Sequence, residues 1–460
     1  MTGNYERLSL WLEQAGPLDP RPALDGDTEA DVAIIGAGFT GLWTAYYLLT
    51  QQPSLRVVLL ERGVAGSGAS GRNGGFCDGY LNGDPDRYAE EHGREATLAL
   101  RQAAARTPDV IHDVLQAEGI DAGFVKSGSI NLARTREQVQ RQQEKVAAHP
   151  EWKLGNGLDK RWLSADEVAQ HVNVPGVLGA IFSPAVARVQ PARLVRGLAQ
   201  AVERRGATIY EQTTVTAIGD RQVRTDRGTV RAKHVIRATE GYSEGLNRNN
   251  RRLLAFTSQI VATEPLPETM WDKIGLADRE LLVNNDRLFI YMQRTVDDRI
   301  ALGGGYTYRP VRPTEPAAEN RFLVASNFAL LEQTVRAMFP DAADARITHR
   351  WGGIWGAGRD FCPTVSYDRL SGFGWAGGYG DGVAASNLAG RCLADLILGQ
   401  DTELSRLAWV NHAARSWPPN PLPRMGSAII TRGFGLADKR EHAGRPTPPW
   451  IKLLEAMVPK

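Results

Sequence analysis

Two apolar runs, Asp31-Val-Ala-Ile-Ile35 and Arg56-Val-Val-Leu-Leu60, bracket a stretch in which Phe39, Leu42, Ala45, Tyr46 and Leu49 recur at helical spacing until Pro53 stops it. Short continuous apolar runs read as strands and the 3.6-residue repeat as a helix packed on them, so the chain opens with strand, helix, strand. A second helix-to-strand unit spans Gln190–Glu203, with proline in its first turn and Gly206 beyond its end, and Thr208–Glu211. Val223–Ala232 reads as a hairpin, and Val235–Gly241 as a buried strand ending on a tight turn. From Leu253 to Thr307, runs such as Leu288–Met292 and Ile300–Leu302 alternate with turns such as Asp297-Asp298, which predicts an antiparallel sheet.

Helical patterns cover most of Asp84–Gly119, Asn320–Phe339 and Val383–Leu398, the last with Ala385, Leu388, Cys392 and Leu396 on one side and Gly399 as its cap. Arg134–Val146 is a charged helix with a solvated face. At the start, Leu8–Leu12 is a short amphipathic element before a Pro-rich coil on the surface. At the end, Trp417–Arg424 is a proline-rich strap leading to a docked helix at Trp450–Met457, a reading preferred to a partner-binding polyproline segment.

The first strand runs into Gly36-Ala-Gly38-Phe-Thr-Gly41, and Glu61 ends the second. Gly36 permits the sharp turn, Gly38 clears space for a pyrophosphate against backbone amides, and Gly41 lets the helix lie close on the sheet. Phosphate then meets the positive end of a helix, and Glu61 stands where a carboxylate accepts ribose hydroxyls. The chain is therefore expected to bind a dinucleotide. A second stretch, Gly66-Ser-Gly-Ala-Ser-Gly-Arg-Asn-Gly-Gly75, is too rich in glycine for helix or strand in its first half and reads as a loop that something approaches closely.

Composition narrows the partners. At 460 residues the chain has room for about two or three domain-sized units. A net charge of +2 with both signs interspersed carries no nucleic-acid footprint, and Arg248–Arg252 reads as a solvated loop. Cys77, Cys362 and Cys392 are odd in number and far apart, which fits a reducing cytoplasm and argues against a disulfide framework or a clustered metal site. No two of the eight histidines stand at metal-ligand spacing, so no metal is expected. Neither an export signal nor an apolar run long enough for a membrane span is found.

Four separated motifs then agree: the first glycine turn with Glu61, Gly68-Ala-Ser-Gly-Arg-Asn-Gly-Gly75, Ala238-Thr-Glu-Gly241, and Gly377-Gly-Tyr-Gly-Asp-Gly-Val383 opening a helix. With them the chain, from Asp31 to Gly399, resembles the FAD-dependent amine and amino-acid oxidases, the family of glycine oxidase, sarcosine oxidase and D-amino-acid oxidase. Within it the likeness is greatest to the gamma-glutamylputrescine oxidase and aminophosphonate oxidoreductase branch, through the Arg-Asn-Gly-Gly loop, Trp351-Gly-Gly353 and Pro421-Leu-Pro-Arg424. The resemblance implies an α/β chain: a Rossmann-like FAD-binding domain from residues 1–83, 188–245 and 348–460, and a second α+β substrate domain on an antiparallel sheet from 84–187 and 246–347.

By motif match, Gly36, Gly38, Phe39, Thr40 and Gly41 would bind the pyrophosphate turn, Glu61 and Arg62 the adenosine ribose, and Val215 the adenine through its backbone. Gly68, Ala69, Ser70, Arg72, Asn73, Gly74 and Gly75 would pass the ribityl chain and ring, with Ala238, Thr239 and Gly241 in the middle turn. Gly380, Asp381, Gly382 and Val383 would meet the flavin pyrimidine edge, where a helix start opposes the charge that reduction puts there. The sequence departs from the family in four places. Trp351-Gly-Gly-Ile-Trp355 lacks the arginine that grips the carboxylate in glycine oxidase-like members, which disfavours a simple α-amino acid, and Ala301 stands where sarcosine oxidase-like members have an oxygen-activating lysine. Cys362 lies several residues late for flavin attachment, so non-covalent FAD is favoured, and Asp381 replaces a commoner histidine.

The implied reaction is oxidation of a carbon-nitrogen bond of a primary or secondary amine by hydride transfer to flavin N5, then imine hydrolysis, with oxygen or another acceptor taking the electrons. Arg72, Tyr291 and Trp355 are the candidate catalytic residues, Tyr291, Trp351 and Trp355 forming an aromatic wall against a small amine substrate. Packing of the aromatics in the core, and for Arg72 a phosphate-side or interdomain salt bridge, are the alternatives. A FAD-binding electron-transfer or structural subunit and a NAD(P)H-linked flavin reductase are the other functional readings. The latter usually carries a second glycine fingerprint and a close cysteine pair that this chain lacks.

Overall fold

The structure is a computed structural model that describes residues 5–147, 150–246, 251–308, 323–413 and 415–458. Its first sheet is built around Thr28–Ile35, whose Val32, Ala33 and Ile34 have no exposed surface because the strand is covered on both faces. Val57–Leu60 and then Thr208–Tyr210 add in parallel on one side, and Thr229–Arg237 and then Phe373–Gly377 in parallel on the other, with Thr364–Asp368 antiparallel at the edge. Thr229–Arg237 is one continuous strand, so the expected hairpin arm and buried strand are a single element. It pairs with Gln222–Thr225 at its start and with the central strand along its length.

The Phe39–Gln51 and Gly382–Leu398 helices lie on this sheet and against each other. A Cβ on Gly390 would fall 2.7 Å from Trp43 Cβ and 2.8 Å from Thr44 N, so glycine sets their closeness. Ala385, Leu388, Cys392 and Leu396 are buried as expected, but almost all of Gly382–Leu398 is buried, making it a central helix and not a one-sided one.

The second sheet runs in the order Ile347–Gly358, Leu253–Thr263, Ile300–Tyr308, Tyr291–Arg294, Leu281–Asn284, Ser129–Ala133, Gly179–Ser183, Arg161–Ser164. Every neighbouring pair is antiparallel except Leu281–Asn284 with Ser129–Ala133. One face packs Ile130, Leu132, Leu282, Met292 and Leu302 with Trp271 and Ile274 of the Glu268–Ile274 helix and Leu331 and Val335 of the Ala325–Met338 helix.

Several segments sit elsewhere than the expected division of the chain placed them. Arg94–Glu118 contributes Leu100, Ala104, Ile111 and Leu115 to the first sheet's core, and Ile347–Gly358 is a strand of the second sheet. Leu8–Leu12 is not amphipathic: Leu8, Leu10, Trp11 and Leu12 are all buried, under the Gly66–Gly75 loop. The Pro-rich tail leads into a 21-residue helix, Leu422–His442, before the expected terminal helix, here Ile451–Met457. Gly426, Gly433 and Gly435 lower helix propensity and hid it; packing restores it, since a Cβ on Gly433 would stand 2.3 Å from Leu454 Cδ1. The expected strand Leu288–Met292 begins only at Tyr291, because Asp438 accepts the backbone amides of Arg287 and Leu288, both at 3.1 Å, and holds them in a turn. Most of the Arg248–Arg252 loop and the start of the expected Asn320 helix lie outside the described residues.

Candidate active site

The first glycine turn is shaped by what touches it. Gly36 has φ +101°, and a Cβ there would press to 2.7 Å from Ala238 O, while one on Gly41 would fall 2.1 Å from Gly36 O. Gly38 leaves space filled by the Ser70 hydroxyl, which accepts from Phe39 N–H at 2.9 Å. Thr40 and Tyr379 hydroxyls lie 3.3 Å apart, joining this turn to the last glycine motif. Glu61 accepts from Ala37 N–H at 3.0 Å and Gly63 N–H at 2.8 Å. Burial pushes its carboxyl above the usual range, and these amides pull it back.

Nearby, Arg62 lies over the Tyr242 ring at 5.8 Å, and Val215 begins the Val215–Gly219 strand with its side chain in the core on the sheet's far face. In the middle turn, Ala238 N–H donates to Ile35 O at 2.9 Å and the Thr239 and Ser243 hydroxyls are 2.8 Å apart. A Cβ on Gly241 would stand 2.8 Å from the Trp355 carbonyl carbon.

The open face of the second sheet meets the glycine loop. Directly paired residues of antiparallel strands share a face, so the registers Phe256 with Trp355, Ser258 with Gly353, Ile260 with Trp351 and Gly303, and Tyr291 with Gly303 put all of these on one side. Against that side lies the loop: Cβ atoms on Gly74 and Gly75 would come within 2.5 Å of Tyr291 Cε2 and 2.1 Å of Gln293 Nε2. Gln293 Nε2 donates to Gly74 O at 2.6 Å, Trp351 Nε1 to Arg72 O at 3.0 Å, and buried Arg72 Nη1 to Gly352 O at 3.2 Å. Asn73 ties the loop to itself, donating to Ser70 O and accepting from Gly75 N–H. The structure thus sets the Gly74 end of the Arg72 loop against Tyr291 and Arg72 itself against Gly352 and Gly353.

Trp355 shares the face, four residues on, stacked on Phe256 at 5.2 Å. Trp351 is a packing residue, edge-on to Trp11 at 5.6 Å and almost wholly buried. Ala301 lies buried in the same cluster, so no lysine enters here.

Sequence reading missed three contributors. Trp11 Nε1 donates to Asn73 O at 2.8 Å and the Ser9 hydroxyl to Gly71 O at 2.8 Å, so the N-terminal helix props the loop from beneath. Glu240, at φ +43°, accepts amides from Gly356, Gly378 at 2.8 Å and Tyr379 at 3.2 Å, stapling the middle turn to the second sheet and the last glycine motif. The third is a polar constellation beside the start of Gly382–Leu398. Asp78 Oδ1 accepts from Tyr80 N–H at 2.7 Å, Lys160 Nζ stands 4.3 Å over the Tyr80 ring, and Asn82 Nδ2 donates to Tyr379 O at 2.8 Å.

Asp381 and Lys160 keep accessible surface, and both stand close enough to Asp78 for each charge to act on the others. Burial and the charge of Asp381 push Asp78 up to about 7. Burial, with Lys145 nearby, brings Lys160 down to about 8. Burial also raises Asp381 and, with Asp381 adding, the Tyr291 phenol. Nothing in the spacing of residues 78, 160 and 381 announces this grouping.

Residues distant in sequence also gather around His412. Its Nδ1 lies 2.6 Å from Glu91 and its Nε2 2.8 Å from Asp360, and two groups, Glu91-His92-His412 and Asp360-Cys362-His412, place their ligand atoms within 4.8 Å. Burial pulls the ring's pKa down, but bonds to Asp360 and Cys362 outweigh it and raise it to about 10. With its ring protonated, His412 donates to a carboxylate on each side and acts as an ion-paired clamp.

Comparison with known proteins agrees with this architecture. The chain is 28% identical over 396 residues to the probable oxidoreductase OrdL of Haemophilus influenzae, covering 84% of this chain and 86% of that one. It is 27% identical over 418 residues to gamma-glutamylputrescine oxidoreductase of Escherichia coli, covering 88% and 92%. Glycine oxidase from Geobacillus kaustophilus superposes with a TM-score of 0.69 at 22% identity, over 84% of this chain and all of that one, which establishes the fold. The family model for FAD-dependent oxidoreductases matches residues 31–396, and the chain belongs to that family, which includes the amine and amino-acid oxidases.

Proposed function

We propose that this protein oxidises the carbon-nitrogen bond of an amine that also carries an anionic group, holding FAD non-covalently between the two glycine motifs. The observation that carries the reading is the meeting of three parts: the Arg72 loop, the face of the second sheet that bears Tyr291, and the charged cluster of Asp78, Lys160 and Asp381, whose Asp381 acts on Tyr291.

The residues fit FAD. Side chains at Gly36 and Gly41 would clash with backbone, so the turn keeps the close approach a pyrophosphate needs. Ser70, Asn73, Gly74, Gly380, Asp381 and Gly382 retain accessible surface beside buried neighbours, and the last begins a 17-residue helix. Glu61 and Arg62 would hold the ribose, with the backbone at Val215 toward adenine. Bound FAD supplies the two-electron acceptor.

The chain's own residues handle charge. Lys160 offers an ammonium to the substrate's anionic end, a task for which the Trp351–Trp355 strand carries no cation. Asp78 would draw in the substrate ammonium and accept its proton, since only the neutral amine loses hydride. Tyr291 and Trp355 form an aromatic surface beside the loop, where cation-π attraction favours the incoming amine. Gamma-glutamyl polyamines and aminoalkylphosphonates both pair an amine with an anion, and both fit this charge pattern.

Anaerobic mixing of the flavin-loaded protein with an amine panel tests the reading, and separate turnover assays follow peroxide release in air and reduction of an added dye. Loss of the visible flavin band with anion-bearing amines is expected. A flavin inert to every amine yet bleached by NADH or NADPH would overturn it.

A further inference from the structure

The C-terminal hairpin presents a surface that none of this chemistry uses. Phe434 and Ala437 of the Leu422–His442 helix and Ile451 and Leu454 of the Ile451–Met457 helix turn inward and pack together, with Leu288 against them. On the outer side Leu422, Met425, Ile429 and Leu436 recur at helical spacing, and Trp450, Leu453 and Met457 repeat the pattern beside them. These seven side chains are between 47 and 68% exposed. The Trp450 ring lies 3.2 Å from where a Gly433 Cβ would stand, so the two rows adjoin. They account for most of the large exposed apolar side chains among the described residues, which marks a patch and not the usual scatter.

The charges around the patch are sorted by sign. The hairpin's acids, Asp438, Glu441 and Glu455, all turn inward onto Arg287, at 3.4, 2.7 and 2.7 Å. Its cations Arg424, Arg432, Lys439, Arg445 and Lys452 are exposed, and Arg432 and Lys439 each follow a member of the apolar row by three residues. A row of leucine, isoleucine, methionine and tryptophan on two helices that expose arginine and lysine and turn their acids inward matches an anionic lipid interface, where acyl chains take the apolar side chains and headgroup phosphates the cations. No described helix is long and apolar enough to cross a membrane, so this one would lie flat.

We infer that the Leu422–Met457 hairpin docks the protein on the surface of an anionic lipid bilayer. The full-length, flavin-loaded protein would be floated with vesicles of phosphatidylcholine alone and of phosphatidylcholine with phosphatidylglycerol. It is expected to float with the anionic vesicles and to be released as salt rises to about 0.5 M. The double variant Ile429→Glu/Leu453→Glu should lose about tenfold in vesicle-bound fraction with flavin content unchanged. Charge reversal by Arg432→Glu/Lys439→Glu, which leaves the apolar packing alone, should weaken binding to anionic vesicles in the same direction. Failure to float with anionic vesicles would overturn the inference, as would equal floating with neutral ones. Self-association without vesicle binding, abolished by the same double variant, would assign the patch to a second copy of the chain and overturn it too.

Discussion

At the residue scale, the arrangement of Lys160 and Asp78 can be tested separately from the cofactor site. A charged hydrogen bond contributes about 1.5–3 kcal/mol, so Lys160→Ala should raise KM for anion-bearing amines roughly tenfold to a hundredfold, with a smaller effect on simple alkylamines. Equal effects on both classes would remove Lys160 from substrate recognition. Asp78 must be ionised to take a proton, so the rate of flavin reduction should climb as pH rises through about 7. Lys160 must be protonated to hold an anion, so KM should climb as pH passes about 8. Asp78→Asn should flatten the first limb and move the second to lower pH, because the Asp78 charge helps to keep Lys160 protonated; an unchanged profile in stopped-flow reduction would count against the assignment. The glycines, Glu61 and the Arg72 loop were legible in sequence because each answers a local backbone demand. Lys160 was not, since a lone lysine in a polar stretch looks like any solvated one until folding sets Asp78 and Asp381 beside it.

Elements packed on every side were the hardest to read. Leu8–Leu12 lacks a polar face because it fills the gap between the Gly66–Gly75 loop and Trp351, and four consecutive turns of pattern are needed before a period declares itself. Trp11→Ala should cost about 3–5 kcal/mol, the range for emptying a buried aromatic site, and should lower flavin content because the Asn73 carbonyl loses its donor. Denaturant midpoints and the ratio of flavin to protein absorbance measure both. A variant as stable as the parent would show that the helix does not prop the loop. The Leu422–His442 helix escaped notice for the opposite reason: its glycines argue against a helix locally, and only the packing of Leu454 and Trp450 on Gly433 gives that one a purpose.

Across the whole molecule, His412 fastens parts of the chain more than 300 residues apart, bonding Glu91 and Asp360 at once. Its folded pKa, about 10, lies above the unfolded value near 6.5. The sign follows: its contribution is fully present below about pH 6.5 and is lost as pH rises through about 10. Urea midpoints should therefore fall between about pH 7 and pH 10, and His412→Gln should lose roughly 2–4 kcal/mol at neutral pH and remove most of that fall. A parent protein whose stability is flat over this window would rule the clamp out.

The sequence by itself determined the parallel core, the dinucleotide turn and the presence of a mainly antiparallel second sheet, because strand runs, helical periods and glycine turns are short-range consequences of backbone geometry. Only the tertiary structure decided which face of that sheet meets the Arg72 loop, since inter-strand register puts Tyr291, Gly353 and Trp355 on one side. It alone brought Asp78, Lys160 and Asp381 within electrostatic reach of one another, because Coulomb coupling depends on distance through space and not along the chain.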